Sequence, residues 1–570
     1  MEANKRTLSD IFNGNRILEI PFFQRTYVWS EDQWERLLED LEAVSVYHKP
    51  YFLGSVILKQ QPTPSGGSIG DKRTLIDGQQ RLTTLNILLK VLCLKTDLNS
   101  RHERVFRLAK DNSIALLHNH FDIADFNSVL DLQVEKELEG SSQILKAYDY
   151  FKKNLNPEAL DLDSILTNIM FVGIDLGPEE DEQQIFDTIN SLGVRLTTAE
   201  LLKNYFFQRE DHVSFDKNWK EVFEGDEDTR LFWNREISAG RAIRENIDIF
   251  FYSFLQIKVQ DQTLNVSSED RKSYTKLDGL FDSYKRFIKD YEIDKNLLIE
   301  EIKEYASIYR QNIKFNVVNE ELIADYSINR INAIIFGLDN TTVIPYVLYV
   351  LKEVKNSNER NQIWEYLESY LMRRLVCHAV NNNYNNLFSE KLLTNAATTK
   401  EILVEQIESQ GATVNRMPED EELKEGFFKS KLVNKQSAGI LYMLESAIRN
   451  RSKHSTSLLG ISKYSLEHVM PKKWENKWPK VSSEEERNIR NFKLQTLGNL
   501  TIITQSLNAS IRDSNWDMKK EGSVGNPGLT QYASSIETFS SFLNKREWNE
   551  EVIEERADYL FNVALKVWKK

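Results

Sequence analysis

Between about residues 215 and 450 the apolar residues recur at three- and four-residue spacing, and this sustained helical period limits the fold more than any other feature. Segments such as RENIDIFFYSFLQIK and QIWEYLESYLMRRLVC each lay an apolar stripe along one helix face. Strand signals are few there, and the Asn-rich tract 381–386 (NNNYNN) reads as a loop. Gly (22) and Pro (11) are scarce for 570 residues, so helices should dominate. A chain of this length exceeds one hydrophobic core, which leads to an expectation of two or three domains.

The first 210 or so residues mix both periods. Arg16–Phe23 (RILEIPFF) reads as a strand, and Ser30 with Gln33 forms a capping box ahead of the stripe Trp34, Leu37, Leu38, Leu41. Tyr51–Lys59 is rich in aromatic and β-branched residues and reads as a strand; 60–71 (QQPTPSGGSIGD) reads as a loop. A short strand, RTLI, runs into Asp77-Gly78, and QQRLTTLNILLKVLCL then turns helical. Asn168–Asp175 is a further strand, Glu182–Leu192 a helix stopped by Gly193, and Thr197 with Glu200 caps the helix TAELLKNYFF. The last segment ends in helices. The expected fold is α+β and predominantly helical: a mixed α/β domain over 1–210, a helical connecting domain over 211–450 and a C-terminal domain over 451–570.

The net charge of −13 argues against a protein that coats nucleic acid with its whole surface, but leaves room for a local basic patch. Cys93 and Cys377 lie far apart, so neither a disulfide framework nor a cysteine zinc site follows, and a reducing cytoplasm is the expected compartment. The start lacks an apolar leader and no long uncharged apolar run occurs, so neither export nor membrane insertion is expected.

Three pieces of the C-terminal segment carry chemistry together: Ser465-Leu-Glu467-His468-Val-Met-Pro471, Leu497-Gly-Asn499-Leu500, and Asn508. Phosphodiester cleavage at a one-metal site needs a cation to polarise the phosphate and a neutral imidazole to take a proton from water. Glu467 and Asn508 offer oxygens suited to Mg²⁺ or Mn²⁺, His468 is the candidate base, and Asn499 can pin the loop that carries it. Residues 461–520 hold 11 Lys and Arg against 7 Asp and Glu, a local excess of the sign that phosphate contacts require. Lys519 and Lys520 fit a solvated helix face as well as a phosphate clamp.

A second cluster sits where a strand gives way to a helix, at Asp77-Gly78. Amides at a helix N-terminus make a phosphate site, Gly78 permits close approach, and Arg81 one turn in is a bidentate donor. Asp77 could hold a metal or a ribose. No G-x-x-x-x-G-K-[ST] loop occurs, and an ordinary turn with an exposed arginine would use the same residues.

Glu467-His468-Val-Met-Pro471, Asn499-Leu500 and Asn508 resemble the HNH (ββα-metal) nuclease pattern, with Asn508 where a terminal His is common. The longer run EHVMP…LGNLTIIT…N…SNWDMKK resembles the C-terminal domain of GmrSD-type modification-dependent (type IV) restriction enzymes; Asn515 and Lys519 match that domain's last Asn and Lys as DNA-phosphate candidates. IPFFQRTYVW, YFLGSVIL, LIDGQQRLTTL and IFDTINSLGVRLTTAELLKNY resemble the ParB-like N-terminal domain of the same family. The resemblance implies a ParB-like nucleotide-binding or NTPase domain fused to a small HNH-like nuclease domain embedded in helices. It places Gln24, Arg25, Asp77, Gly78, Gln79, Gln80 and Arg81 at the nucleotide, with Asn190 and Lys203 as further candidates. It further implies GTP or ATP as regulator or substrate and DNA, including modified phage DNA, as target. A homodimer would make double-strand cutting easier, since one ββα site nicks one strand. The competing readings are a nucleotide-responsive DNA-binding regulator with an inactive nuclease fold and a helical interaction scaffold.

Overall fold

A computed structural model of the chain describes residues 2–13, 16–21, 24–61, 71–119, 121–177, 197–207, 212–240, 242–274, 279–381, 383–409, 415–449, 457–511, 513–532 and 536–570. The chain divides into two compact units, residues 1–219 and 220–570. The fold is α+β and mostly helical.

In the first unit a six-stranded mixed sheet runs in the order β1-β6-β3-β4-β2-β5. Its strands are β1 (Glu2–Thr7), β2 (Ile17–Glu19), β3 (Tyr51–Gln60), β4 (Lys72–Asp77), β5 (Leu116–Leu117) and β6 (Ile169–Leu176). β2 is shorter than the expected 16–23: Ile20 still donates to Leu117 O, but Pro21 has no N–H with which to continue the ladder. The capping boxes at Ser30/Gln33 and Thr197/Glu200 are both formed and start the helices Glu31–Tyr47 and Thr198–Phe206. The expected loop at 62–70 and the expected helix Glu182–Leu192 with Gly193 lie outside the described residues. Gln79–Lys95 is buried on almost every side, with Leu82, Leu85, Leu88 and Leu92 in the core and Thr83, Thr84 and Asn86 also enclosed. That explains why its sequence is apolar beyond a single stripe.

The second unit is built from packed helices, among them Asn246–Val259, Ser357–Val376, Asn434–Ile448 and Glu550–Val567. It also holds a hairpin the helical period does not announce, β7 (Glu236–Ala239) with β8 (Ala242–Glu245). Part of the Asn-rich tract is helical rather than loop, at Tyr384–Asn386, because Tyr384, Leu387 and Phe388 are buried and carry the polar residues with them. The helical middle and the C-terminal segment lie together in this unit. Among the described residues no helix is long and apolar enough to cross a membrane.

Burial holds two histidines of the first unit neutral: His102 and His118 are pushed down to about 3. Unfolded, each would protonate near about 6.5, so below that pH the unfolded state binds more protons and the fold weakens, by about 2 kcal/mol per histidine at pH 5. Asp122 acts oppositely, since burial raises it to about 6. Between that value and about 4 the folded state takes the extra proton, a gain of about 1 kcal/mol at pH 5. Thermal unfolding at pH 7 and pH 5 is expected to show a net loss on acidification, and a smaller loss in His102→Gln. Identical acid sensitivity in the two proteins would refute the assignment.

Candidate functional site

In the second unit, β9 (Tyr464–His468) pairs antiparallel with β10 (Leu500–Thr504), placing His468 opposite Leu500 and Glu467 opposite Thr501. The helix Gln505–Ile511 follows directly and carries Asn508; the helix Trp516–Glu521 carries Lys519. Alternation along β9 puts Ser465 and Glu467 on one face. Asn508 meets that face, its Nδ2 donating to Ser465 Oγ (3.1 Å) and to Leu466 O (3.3 Å). Leu466 O can only accept, so the amide nitrogen must face it and Asn508 Oδ1 is turned away.

Glu467 is buried, and its carboxylate pairs with the Lys519 ammonium, which also donates to His468 O at 2.8 Å. Burial pushes the Glu467 carboxyl up and the Lys519 ammonium down, each against the pull of the other. Lys519 therefore stands inside the fold, neither on a solvated helix face nor at the surface. Asn515 caps the same helix, its side chain accepting from Met518 N at 3.0 Å. The His468 ring is lowered to about 4, by burial first and then by the charges of Lys472 and Lys519, so it is neutral at physiological pH. Glu467 and Asn508 are hard-oxygen donors. Mg²⁺ takes hard oxygens of this type, but as arranged here the Glu467 carboxylate is held by Lys519 and Asn508 turns its amide nitrogen toward this face. Among the described residues there is no group of three or more His, Cys, Asp and Glu placed to hold a metal.

Asn499 is fully buried and braces this corner. Its Oδ1 accepts from Met470 N (2.9 Å) and Trp548 Nε1 (3.0 Å), while Nδ2 donates to Met470 O and Leu494 O, both at 2.9 Å. One side chain thus fixes the turn after His468 to the turn before β10. Arg556, on the Glu550–Val567 helix, clamps the same turn. Its Nη1 donates to the carbonyls of Leu497, Gly498 and Leu500, and its Nε to Thr538 O. Gly498 allows that helix to approach, because a Cβ there would lie 2.2 Å from Ile553 O. Sequence reading missed Arg556. Its one signal is an arginine on the apolar stripe Ile553, Arg556, Ala557, Leu560.

In the first unit, β4 ends at Asp77 and Gly78 takes φ +103°, a left-handed turn packed so close to β3 that a Cβ would sit 2.9 Å from Val56 Cγ2. Asp77 Oδ2 accepts from Ser55 Oγ (2.9 Å) and from Arg81 Nη2 (3.0 Å), and Arg81 Nη1 donates to Leu53 O (3.0 Å). Asp77 and Arg81 thus join the helix start to β3. Gln80 bridges the 26–28 segment, accepting from Val28 N and donating to Thr26 O. Gln24 Nε2 donates to Leu75 O and Ile76 O. Among the described residues, three buried polar atoms here have no hydrogen-bond partner: Gln24 Oε1, Arg25 Nε and Gln79 Oε1.

Two supporting residues were not expected from sequence. Asn119 Nδ2 donates to Gln24 O and Arg25 O, and Asp122 accepts from Tyr27 N at 2.7 Å. Together they set the course of the segment that presents Gln24 and Arg25. An Asx turn is visible at Asn119, whose Oδ1 accepts from Phe121 N and Asp122 N, but the carbonyls it grips are remote in sequence. Lys203 is buried on the Thr198–Phe206 helix, and Asn190 lies outside the described residues.

Two family models match this chain: GmrSD restriction endonuclease, N-terminal domain, over residues 8–207, and GmrSD restriction endonucleases, C-terminal domain, over residues 417–563. The chain is a restriction endonuclease in class. It belongs to the GmrSD restriction endonuclease family, and its target is accordingly DNA. No curated protein matches it.

Replacing Asn499 by Ala strips Met470 N and Trp548 Nε1 of their acceptor inside the protein. A loss of about 2–4 kcal/mol is expected, since each buried orphan donor costs about 1–3 kcal/mol. Urea unfolding of the full chain checks this; an unchanged midpoint would rule out the brace.

Proposed function

We propose that this chain is a nucleotide-regulated, divalent-metal-dependent DNA endonuclease of a defence system, cutting or nicking modified foreign DNA with an HNH-like centre. The observation that carries it is a neutral His468 imidazole at the end of a two-stranded ribbon, next in the chain to Glu467, on a turn braced by Asn499 and with Asn508 hydrogen-bonded to the same strand. In this reading the topology β9, β10, Gln505–Ile511 corresponds to the ββα unit of such nucleases.

In this reading Glu467, on exchanging Lys519 for the cation, and Asn508, on turning its amide to present Oδ1, would hold the ion, which when bound would polarise the phosphate and the leaving oxygen. A ring nitrogen of His468 takes the proton from the attacking water, a role open only to neutral imidazole. Asn499 and Arg556 act on His468 by fixing its turn, which keeps the base at one place relative to the phosphate. Lys519 balances the Glu467 carboxylate, so that burial does not leave it as an isolated charge.

The corner of Gln24, Arg25 and Asp77–Arg81 is the proposed nucleotide site, with GTP or ATP as ligand. The amides of Gln79, Gln80 and Arg81 have no carbonyl behind them in the helix and suit phosphate oxygens. The three orphaned atoms of Gln24, Arg25 and Gln79 support a polar occupant. The rival reading, a DNA-binding regulator with an inactive nuclease fold, draws on the Glu467–Lys519 pair, which already satisfies the carboxylate.

The deciding assay incubates the full chain with modified and unmodified phage DNA, Mg²⁺ or Mn²⁺, with and without GTP or ATP. His468→Ala is expected to lose cutting by roughly a hundredfold or more. Equal cutting by this variant sinks the active site, and tight DNA binding without any cutting selects the regulator. Gln24→Ala is expected to weaken nucleotide binding in equilibrium dialysis while leaving the fold intact. Unchanged binding removes the nucleotide assignment.

A further inference from the structure

The connection from β9 to the helix Glu484–Lys493 begins beside His468 and is anchored along its length. Trp474 is buried with its Nε1 donating to Asn491 Oδ1 (2.9 Å), and Trp478 is buried with its Nε1 donating to Ser514 O (3.1 Å). Arg490 lies over the Trp474 ring at 4.5 Å and donates to Pro479 O at 2.6 Å. Its charge is matched by Glu550. Val469, Met470, Pro471, Trp474 and Trp478 of the connection thus face inward.

What remains outside is Lys472, Lys473, Lys477 and Lys480, all exposed, and none in an ion pair with any described residue. The one acidic side chain among them, Glu475, is paired with Arg487 at 3.1 Å. Four uncompensated ammonium groups on one short anchored segment stand out in a chain of net charge −13. An exposed lysine with no partner gains nothing for the fold, whereas a run of them beside a reactive group raises the local concentration of an anion. The acidic turn Glu484–Glu486 sets the far boundary, with Glu486 itself engaged by Ser482 N and Ser483 N.

We infer that the Lys472–Lys480 connection is the surface that grips the DNA phosphate backbone and leads it to His468. The inference rests on the nuclease reading of His468 and specifies which residues hold the substrate. Lys519 cannot serve this purpose from its buried position. Lys472 reinforces the placement, standing two residues past Met470, whose N–H and carbonyl the Asn499 side chain holds. Contacts of this kind carry no base readout, so they would act equally on modified and unmodified DNA and leave recognition of the modification to other residues.

The test uses the full chain carrying Lys472→Gln, Lys473→Gln, Lys477→Gln and Lys480→Gln together, with labelled duplex DNA in fluorescence anisotropy across a salt series, without metal. Each released counterion contributes about 0.9 to the slope of log K against log salt, so the slope is expected to fall by about three to four. Affinity near physiological salt is expected to drop roughly tenfold or more, and Arg at the same four positions to retain binding. A control variant with Gln at the exposed Lys49, Lys355, Lys566 and Lys569 is expected to match wild type. Unchanged affinity and slope in the first variant, while wild type binds and cuts DNA, overturns the inference and leaves the nuclease reading standing. Wild type that binds no duplex under any salt condition overturns both. Displacement of DNA by polyglutamate as readily as by unlabelled duplex also overturns the assignment, since it marks a site for acidic protein.

Discussion

The Asn499 side chain has no solvent exposure, and its four hydrogen bonds join the turn after His468 to the turn before β10. β9 and β10 are short, and a two-stranded ribbon of that size is marginal alone in water. The position of His468 therefore depends on what closes the ribbon's end. Asn499 does so from within, and Arg556 does so from the Glu550–Val567 helix with a guanidinium ringed by backbone carbonyls. Burial lowers Arg556 toward about 9, and those carbonyl dipoles are what compensate its charge, since the structure gives it no carboxylate partner among the described residues.

The clamp needs a fixed helix, and the helical middle provides it. Trp568, just past the Glu550–Val567 helix, donates its indole N–H to Glu368 Oε1, and Arg373 Nε donates to Trp568 O. Glu368 is fully buried and forms a bidentate pair with Arg330, whose remaining protons go to Ile323 O, Ser446 Oγ and Met443 O. Glu445, also fully buried, accepts from the amides of Glu537 and Thr538. The Arg330–Glu368 pair and Glu445 are tolerable because their protons and carboxylate oxygens find partners, and those partners come from both the middle and the C-terminal segment. That is the physical reason these two stretches form one unit.

Much of the candidate site was readable along the chain. Ser30/Gln33 and Thr197/Glu200 are local capping boxes, so spacing alone announced the helix starts. Residue type and spacing point to Glu467-His468 and Asn499, and the structure puts the pair at the end of β9, Asn499 against the turn that follows and Asn508 against Leu466 of the same strand. The roles of Asp77, Gln80 and Arg81 were less accessible. They satisfy β3 and the 26–28 segment, and their partners Leu53 O, Ser55, Thr26 O and Val28 N are set by sheet register and helix packing. Lys519 misled for the same reason, because a lysine looks solvated until a carboxylate 52 residues away is brought against it.

The sequence by itself determined the helical bulk, the strand–turn–helix junction at Asp77-Gly78 and the identity of the groups around His468. All of these are carried by local periodicity, caps and residue chemistry. Only the tertiary structure decided which groups Asn499 braces, that Arg556 clamps its turn, that Lys519 is buried, and that four lysines of one connection are left facing water. Those outcomes depend on which distant backbone and side-chain groups each element meets when it is buried. A hydrogen-bond donor enclosed by the fold must find its acceptor wherever packing puts one, and no spacing within the chain records that.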